Sequence, residues 1–427
     1  MTDPRAIALD LLGDVLRRRR PLDEALAAHR DLARLEPRDR AFARLLVTTA
    51  LRRLGQIDAA IDARLERPLP AKRAMVRDIL RLGVAQLAFL DLAPHAAVDT
   101  SVALTRAHGQ EGLKGLVNAV LRRVSEAGPL LEGDPAHLNV PDWLWQSWEA
   151  AYGTETAATI ARANLREAPL DITLKDPETA ARWAAALDAE ILSTANLRRR
   201  AGGNPADLPG FAEGAWWVQD AAAALPARLL GDVSGLRVAD LCAAPGGKTL
   251  QLAAAGARVT AVEISDQRLL RLRANLARVG LGAEIVAADA AAWTPPEPFD
   301  AVLLDAPCTA TGTLRRHPDI AWNKDPDDVR RLAALQDRLL LAALRIVKPG
   351  GTAVYATCSL QPEEGEPRIA ALLAAGAAAE RVPVAPAELP GLEAAVTSAG
   401  DLRTLPCYWA ESGGIDGFYA ARLRRTA

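Results

Sequence analysis

The chain is poor in cysteine and histidine, and it has no long apolar run. Its four cysteines are Cys242, Cys308, Cys358 and Cys407, and none forms a C-x-x-C pair. A disulfide framework of the sort that staples small secreted domains is therefore not expected in a cytosolic protein of this size. The five histidines (His29, His95, His108, His137 and His317) are scattered without ligand spacing, so no metal is expected. No apolar stretch reaches the roughly 18 residues that a bilayer span needs. Met1-Thr-Asp-Pro-Arg5 lacks the basic-then-apolar plan of a secretory signal, and a cytoplasmic protein with no membrane partner is expected. A G-x-G-x-x-G fingerprint is missing too, which removes the main support for a nicotinamide-dependent oxidoreductase. There is no internal repeat and no low-complexity tail.

The chain has 427 residues, 50% apolar and 24% charged, enough for two or three domains and a large core. The net charge of −2 hides an asymmetry: residues 1–130 carry 22 Lys and Arg against 16 Asp and Glu, the remainder 29 against 37. A basic module joined to an acidic one suggests a polyanion partner, although a solvated helical surface would look the same. Residues 4–125 repeat apolar positions at three and four, as in Ile7, Leu11, Leu12 and Val15, and read as successive helices. Stretches at Ala41–Leu54, Ala71–Leu90, Ala97–Ala107 and Gly115–Val124 follow, with prolines between them. The run Arg17-Arg18-Arg19-Arg20 closes the first helix, either complementing its dipole or contacting phosphate.

Residues 126–140 read as a linker. A short mixed region follows, with a helix from Pro141 and a strand at Leu170–Leu174. From Leu236 the texture becomes βα repeats, with strands at Arg237–Cys242, Arg258–Glu263, Glu284–Ala288, Ala301–Asp305 and Thr352–Ala356, and helices at Thr249–Ala255, Asp266–Val279, Asp328–Val347 and Glu363–Ala375. That alternation predicts a parallel sheet covered on both faces. Two more strands are expected between Leu405 and Leu423, around Gly413-Gly414.

Three segments lie where a strand gives way to a turn: Asp240-Leu-Cys-Ala-Ala-Pro-Gly-Gly-Lys-Thr249, Leu304-Asp-Ala-Pro-Cys308 and Tyr355-Ala-Thr-Cys-Ser359. In a parallel sheet such turns share one crevice. The small residues of the first let backbone N–H groups approach a ligand. It is not a phosphate loop, because the required first glycine falls at Cys242. Glu263, ending the second strand, can accept both hydroxyls of a ribose. Asp289, after the third, can face an adenine amine, or it can simply form a turn. Together these describe a site for S-adenosyl-L-methionine.

Pyrimidine C5 is too weak a nucleophile to take a methyl group unaided. A thiolate added at C6 makes C5 enamine-like, and a base later removes the C5 proton so that the thiol can leave. Such a cysteine needs more thiolate than a free thiol of pKa about 8.5 provides. It also needs a group, here Asp305, to hydrogen-bond the base edge as charge develops. Two cysteines at the ends of different central strands, Cys308 and Cys358, meet the description. The residues alone do not say which is the nucleophile. Cys242 and Cys407 read as packing residues.

The chain resembles the Sun family of RNA cytosine-C5 methyltransferases, and within it the bacterial ribosomal small-subunit group. The resemblance rests on Gly214 with Val218-Gln219-Asp220, on Asp240 to Thr249, on Asp305-Ala-Pro-Cys-Thr-Ala-Thr-Gly-Thr313 followed by Arg315-Arg316-His317-Pro318-Asp319, on Tyr355 to Ser359 with Pro362-Glu363-Glu364, and on Asp416-Gly-Phe-Tyr419. The N-terminal part, including Leu116-Val-Asn-Ala-Val-Leu-Arg122, resembles the NusB-type RNA-binding bundle. The resemblance implies an α/β fold: a Rossmann-like class I methyltransferase domain at 231–427, an all-α NusB-like domain at 1–125, and an RNA-clamping subdomain at 126–230. It makes Cys358 the C6 nucleophile and Cys308 the residue that assists release. It places the cofactor on Cys242, Ala243, Ala244, Pro245, Gly246, Gly247, Lys248, Glu263, Asp289 and Asp305. Small-subunit ribosomal RNA would be the partner of a monomer, with Arg315, Arg316, Arg17 and Arg18 as candidate contacts. This chain departs from the family pattern at Ile172-Thr-Leu-Lys175, where an RNA-contacting Arg is usual, and at Ala321 and Gly365. The competing reading is a catalytically silent RNA-binding protein of the ribosome-assembly or antitermination type.

Overall fold

The computed structural model describes residues 3–90, 92–127 and 134–427. The chain divides into two compact units, Met1–Arg166 with Leu314–Asp325, and Glu167–Thr313 with Pro326–Ala427.

The first unit is helical. Its first helix, Pro4–Arg18, starts where the Asp3 carboxylate accepts the Arg5 N–H at 2.9 Å. It buries Ile7, Leu11, Leu12 and Val15 on one face. It stops at Arg19, whose φ of 54° is left-handed and whose N–H, with that of Arg20, returns to the Val15 and Asp14 carbonyls. Helices Pro37–Arg52, Ala74–Phe89, Pro94–Ala107 and Lys114–Ala127 pack with it around Leu46, Ile79, Leu80, Val117 and Leu121. The expected single helix Ala41–Leu54 is two, Pro37–Arg52 and Leu54–Asp62, because Arg53 leaves helical geometry. Of the expected linker, Gly128 to Gly133 lies outside the described residues, and Pro135–Leu138 is a short helix capped by Asp134. The helix expected from Pro141 runs over Asp142–Tyr152. Segment Leu314–Asp325 is bolted onto this unit. Asp319 accepts the Leu22 N–H at 2.9 Å, Trp322 Nε1 donates to the Leu51 carbonyl at 2.9 Å, and Arg19 pairs with Asp325 at 2.7 Å.

The second unit holds two sheets. The smaller contains β1 (Leu170–Leu174), β2 (Glu190–Ile191), β3 (Leu197–Arg199) and β4 (Trp216–Val218), all antiparallel in the order β2-β3-β1-β4. Asp171 and Arg198 form a bidentate ion pair in its interior, both oxygens at 2.7 Å.

The larger sheet contains β5 (Arg237–Leu241), β6 (Arg258–Glu263), β7 (Glu284–Ala287), β8 (Phe299–Asp305), β9 (Val347–Thr357), β10 (Ala379–Arg381), β11 (Leu402–Thr404) and β12 (Phe418–Arg425). Its order is β10-β12-β9-β8-β5-β6-β7, with β11 beside β12. Strands β5 to β9 are parallel, and β12 runs antiparallel to β9. The near-continuous apolar runs of β5, β6 and β8 suit strands covered on both faces. Two closing strands do flank Gly413-Gly414, paired antiparallel, but the first lies before the expected Leu405 start. They lie at 402–404 and 418–425, because residues 405–417 form a long loop. The chain moves outward from β5 to β7 and returns at β8, so the order reverses between β5 and β8. Crevices for ligands open at the carboxyl ends of strands at such a point.

Candidate active site

All the turns singled out in the sequence leave this carboxyl edge. After β5, Cys242 takes a left-handed φ of 61°, and Ala243, Ala244 and Pro245 lead to Gly246, φ 106°. A Cβ on Gly246 would sit 2.5 Å from Leu272 Cδ1, so only glycine lets the turn press against the helix Asp266–Val279. Gly247 then opens the helix Gly247–Ala254. Lys248, nearly buried, donates to Asp305 Oδ2 at 2.7 Å and lies 5.1 Å from the centroid of the Phe418 ring. Beneath the turn, Asp240 is fully buried. It accepts the Thr249 hydroxyl at 2.6 Å, while its Oδ1 has no hydrogen-bond partner among the described residues. Burial pushes its carboxyl up to about 7. Burial also raises the Cys242 thiol, which keeps it an inert packing group.

Glu263 ends β6 with a buried carboxylate. Its Oε1 accepts the Ser265 N–H at 3.0 Å. Its Oε2 lies 3.0 Å from the Arg268 guanidinium, an ion pair outside hydrogen-bond geometry, and is left as a buried acceptor. Arg268 also donates to the Ala244 carbonyl in the turn. Asp289, past β7, is exposed, and its carboxylate caps the Ala291 N–H at 3.0 Å.

The two cysteines meet. Cys308, three residues past β8, and Cys358, just past β9, place their sulfurs 3.5 Å apart, and either can donate. The hydrogen bond with Cys358, then burial, hold the Cys308 thiol well above its ordinary value. Cys358 is half-buried and its loop is clamped from several sides. Its carbonyl accepts the Gly312 N–H at 2.9 Å, and the Gly312 carbonyl accepts that of Gly417 at 2.8 Å. A Cβ on Gly312 would meet Gly417 O at 1.9 Å, so Thr-Gly-Thr313 and Asp416-Gly-Phe are matched by close backbone contact.

Sequence reasoning missed the residue that ties the two cysteine loops together. Glu364 is fully buried. Its carboxylate accepts the Thr309 N–H at 2.9 and 3.2 Å, the Thr309 hydroxyl, and the Gln336 amide at 3.0 Å. Its carbonyl accepts the Tyr355 hydroxyl at 2.9 Å and the Thr357 hydroxyl at 3.1 Å. One residue thus holds the loop after Cys308 and the strand before Cys358. Burial raises its carboxyl. The one available signal was its place in Pro362-Glu-Glu364, read as a helix start.

The candidate RNA contacts fare differently, each within the first unit. Arg315 is fully buried, which corrects its assignment as a phosphate contact, since a solvent-facing guanidinium is needed there. Arg17 pairs with the buried Asp78 while its own side chain stays 40% exposed, so Asp78 competes with phosphate for its charge. Arg18 is largely exposed beside Asp14, and Arg316 is exposed. Among the described residues no helix is long and apolar enough to cross a membrane, and no group of three or more His, Cys, Asp or Glu could hold a metal ion.

A family model described as 16S rRNA methyltransferase RsmB/F matches residues 227–424, and the NusB family model matches residues 2–126. A ribosomal RNA small subunit methyltransferase B of Sodalis glossinidius is 36% identical over 410 residues, covering 92% of this chain and 92% of that protein. Its namesake in Pseudomonas syringae pv. tomato is 37% identical over 456 residues, covering 100% of this chain and 97% of that one. The crystal structure of PH0851 aligns with a TM-score of 0.76 at 23% identity, covering 100% of this chain and 99% of that one, a likeness of fold.

Proposed function

This chain belongs to the 16S rRNA methyltransferase RsmB/F family, and we propose that it methylates cytosine C5 of small-subunit ribosomal RNA through a covalent adduct on Cys358. The observation that carries the reading is the 3.5 Å approach of Cys308 and Cys358 beside the glycine turn, at the ends of adjacent parallel strands. The turn residues Cys242 to Lys248, with Glu263, Asp289 and Asp305, suit S-adenosyl-L-methionine. The buried Oε2 of Glu263, ion-paired with Arg268 but accepting no hydrogen bond among the described residues, suits a ribose hydroxyl donor. When bound, that cofactor supplies an electrophilic methyl group on a sulfonium.

The chain's own residues do the rest. Lys248 engages one oxygen of Asp305, and the other accepts the exocyclic amine of a cytosine taken out of its stack. Cys308, held as a thiol, can donate to the Cys358 sulfur as that sulfur attacks. The thiolate forms a bond to C6 as the C5–C6 π pair moves to C5, which would take the methyl while the donor's S–CH3 bond breaks and its sulfur leaves as a neutral thioether. Loss of the C5 proton to a base restores the double bond as the C6–S bond breaks and the thiolate leaves. Cys308 assists that departure. Domains at 1–125, 126–230 and 231–427 would bind RNA, clamp it and methylate it, in a cytoplasmic monomer, with Arg18 and Arg316 left as phosphate contacts.

The test is to incubate the full chain with a small-subunit rRNA transcript and labelled methyl donor, then map cytosines that resist bisulfite. Label confined to C5 of one or a few cytosines is expected. Label on another atom, or none, overturns the reading.

A further inference from the structure

A cavity of about 330 Å³ opens beside the cofactor turn, within the second unit. Pro245 and Gly247 of the turn form one wall, Trp217 and Val218 of β4 another, and Phe211, Asn275 and Arg278 complete it. That volume lies within the range of small-molecule sites, roughly 300–1,000 Å³.

Its walls are fixed. Arg278 Nη1 donates to the Phe211 and Trp216 carbonyls at 2.8 and 3.1 Å, and its guanidinium carbon lies 3.9 Å from the Phe211 ring centroid. Lys175 Nζ reaches the Val279 carbonyl at 2.7 Å. Gly214, at φ 69°, brings its loop so close that a Cβ would lie 2.2 Å from the Arg278 carbonyl. The space therefore cannot be filled by collapse of the small sheet onto the helix.

Its chemistry is apolar and aromatic with a few polar edges. Asn275 donates to the Pro245 carbonyl at 2.9 Å, and its own carbonyl oxygen remains as an acceptor. Arg278 Nε is buried without a hydrogen-bond partner among the described residues. Such walls suit a planar heterocycle with donors and acceptors on its rim. Charge narrows the choice further. The chain beyond residue 130 is acidic, yet the helix Asp266–Val279 carries four arginines against one aspartate. Arg271, one turn before Asn275 on the same flank of that helix, is exposed and forms no ion pair among the described residues. Val218 stands 44% exposed at the cavity's edge.

We propose that this cavity is a subsite for one unstacked nucleobase of the RNA, flanking the methylated nucleotide, with Arg271 contacting an adjoining phosphate. This rests on the RNA methyltransferase reading. The base leaves the RNA stack and enters beside the same turn that the cofactor reading uses. The subsite thus selects single-stranded sequence context without touching the reacting atoms.

The test uses the full chain and a small-subunit rRNA transcript carrying 4-thiouridine. Three variants are compared with wild type: Arg271→Ser, Val218→Trp to fill the cavity, and Ala206→Trp as a second filler from the exposed turn Pro205–Asp207, which also lines it. The serine variant should lose about 0.7 from the slope of log affinity against log salt, with weaker binding at low salt. Either filler should abolish photocrosslinks to peptides containing Phe211 or Trp217. It should raise KM for RNA about tenfold with kcat and S-adenosylmethionine affinity within twofold of wild type. Unchanged salt slope and crosslinks, in a wild type that methylates RNA, overturn the subsite and leave the function standing. Saturation of the cavity by a small anionic metabolite or a protein in preference to RNA also overturns it. A wild type that methylates no RNA overturns the functional reading itself.

Discussion

Replacing Glu364 separates a residue that positions the cysteines from one that merely fills the core. Its carboxylate receives the Thr309 N–H and hydroxyl and the Gln336 amide, all buried. Hydrogen bonds to a charged acceptor contribute about 1.5–3 kcal/mol each, but desolvation of the carboxylate opposes them. Glu364→Ala leaves those donors unsatisfied, and a loss of about 3–5 kcal/mol is expected. Glu364→Gln keeps the shape and one acceptor but turns an amide N–H toward a donor, for a loss of about 1–3 kcal/mol. The loop after Cys308 then relaxes. A displacement near 1 Å in a reacting constellation costs on the order of 10²-fold in rate. Urea unfolding, calorimetry with S-adenosylmethionine and single-turnover methylation read the three effects. The Gln variant should remain folded, bind cofactor as wild type does, and turn over roughly 10–100-fold more slowly. Because burial raises the Glu364 carboxyl, wild-type stability falls as pH rises above its ordinary value, and the Gln variant should flatten that slope. Wild-type turnover in a destabilised Gln variant would refute the positioning argument.

Asp240 provides a second pH test. Its carboxyl is raised from 3.8 to about 7, so between those values the folded chain holds more proton than the unfolded chain and stability falls as pH rises. The whole window amounts to roughly 4 kcal/mol. Asp240→Asn should remove that slope and be the more stable protein at pH 8 by urea denaturation. Wild-type stability that rises across the window contradicts the assignment. Arg198→Ala should cost about 3–5 kcal/mol, because it strands the Asp171 carboxylate inside the small sheet. Melting within a degree of wild type would show that the pair contributes nothing.

The parts legible in the sequence were those whose signal is local. Strands β5, β6 and β8 are covered on both faces and read as apolar runs. The helix Asp266–Val279 was placed to the residue, because Ser265 caps its start and Gly280, at φ 65°, ends it. The crevice turns followed from their strands. Short strands such as β2, β3 and β10 escaped, since two or three residues carry no period. Arg198 and Arg315 escaped because a charged residue reads as exposed, and only the fold shows both buried. Glu364 was read as a helix residue, and its value lies in contacts with Thr309 and Gln336, far off in sequence. The cavity beside Pro245 is built from four separate segments and has no sequence signature.

The central claim is that the Cys358 sulfur bonds the substrate base and the Cys308 sulfur helps free it. Denaturing electrophoresis after incubating each Cys→Ala variant with rRNA and methyl donor tests it most directly. The account predicts a protein–RNA adduct that accumulates with Cys308→Ala and is absent with Cys358→Ala. An adduct that accumulates with Cys358→Ala instead would contradict it.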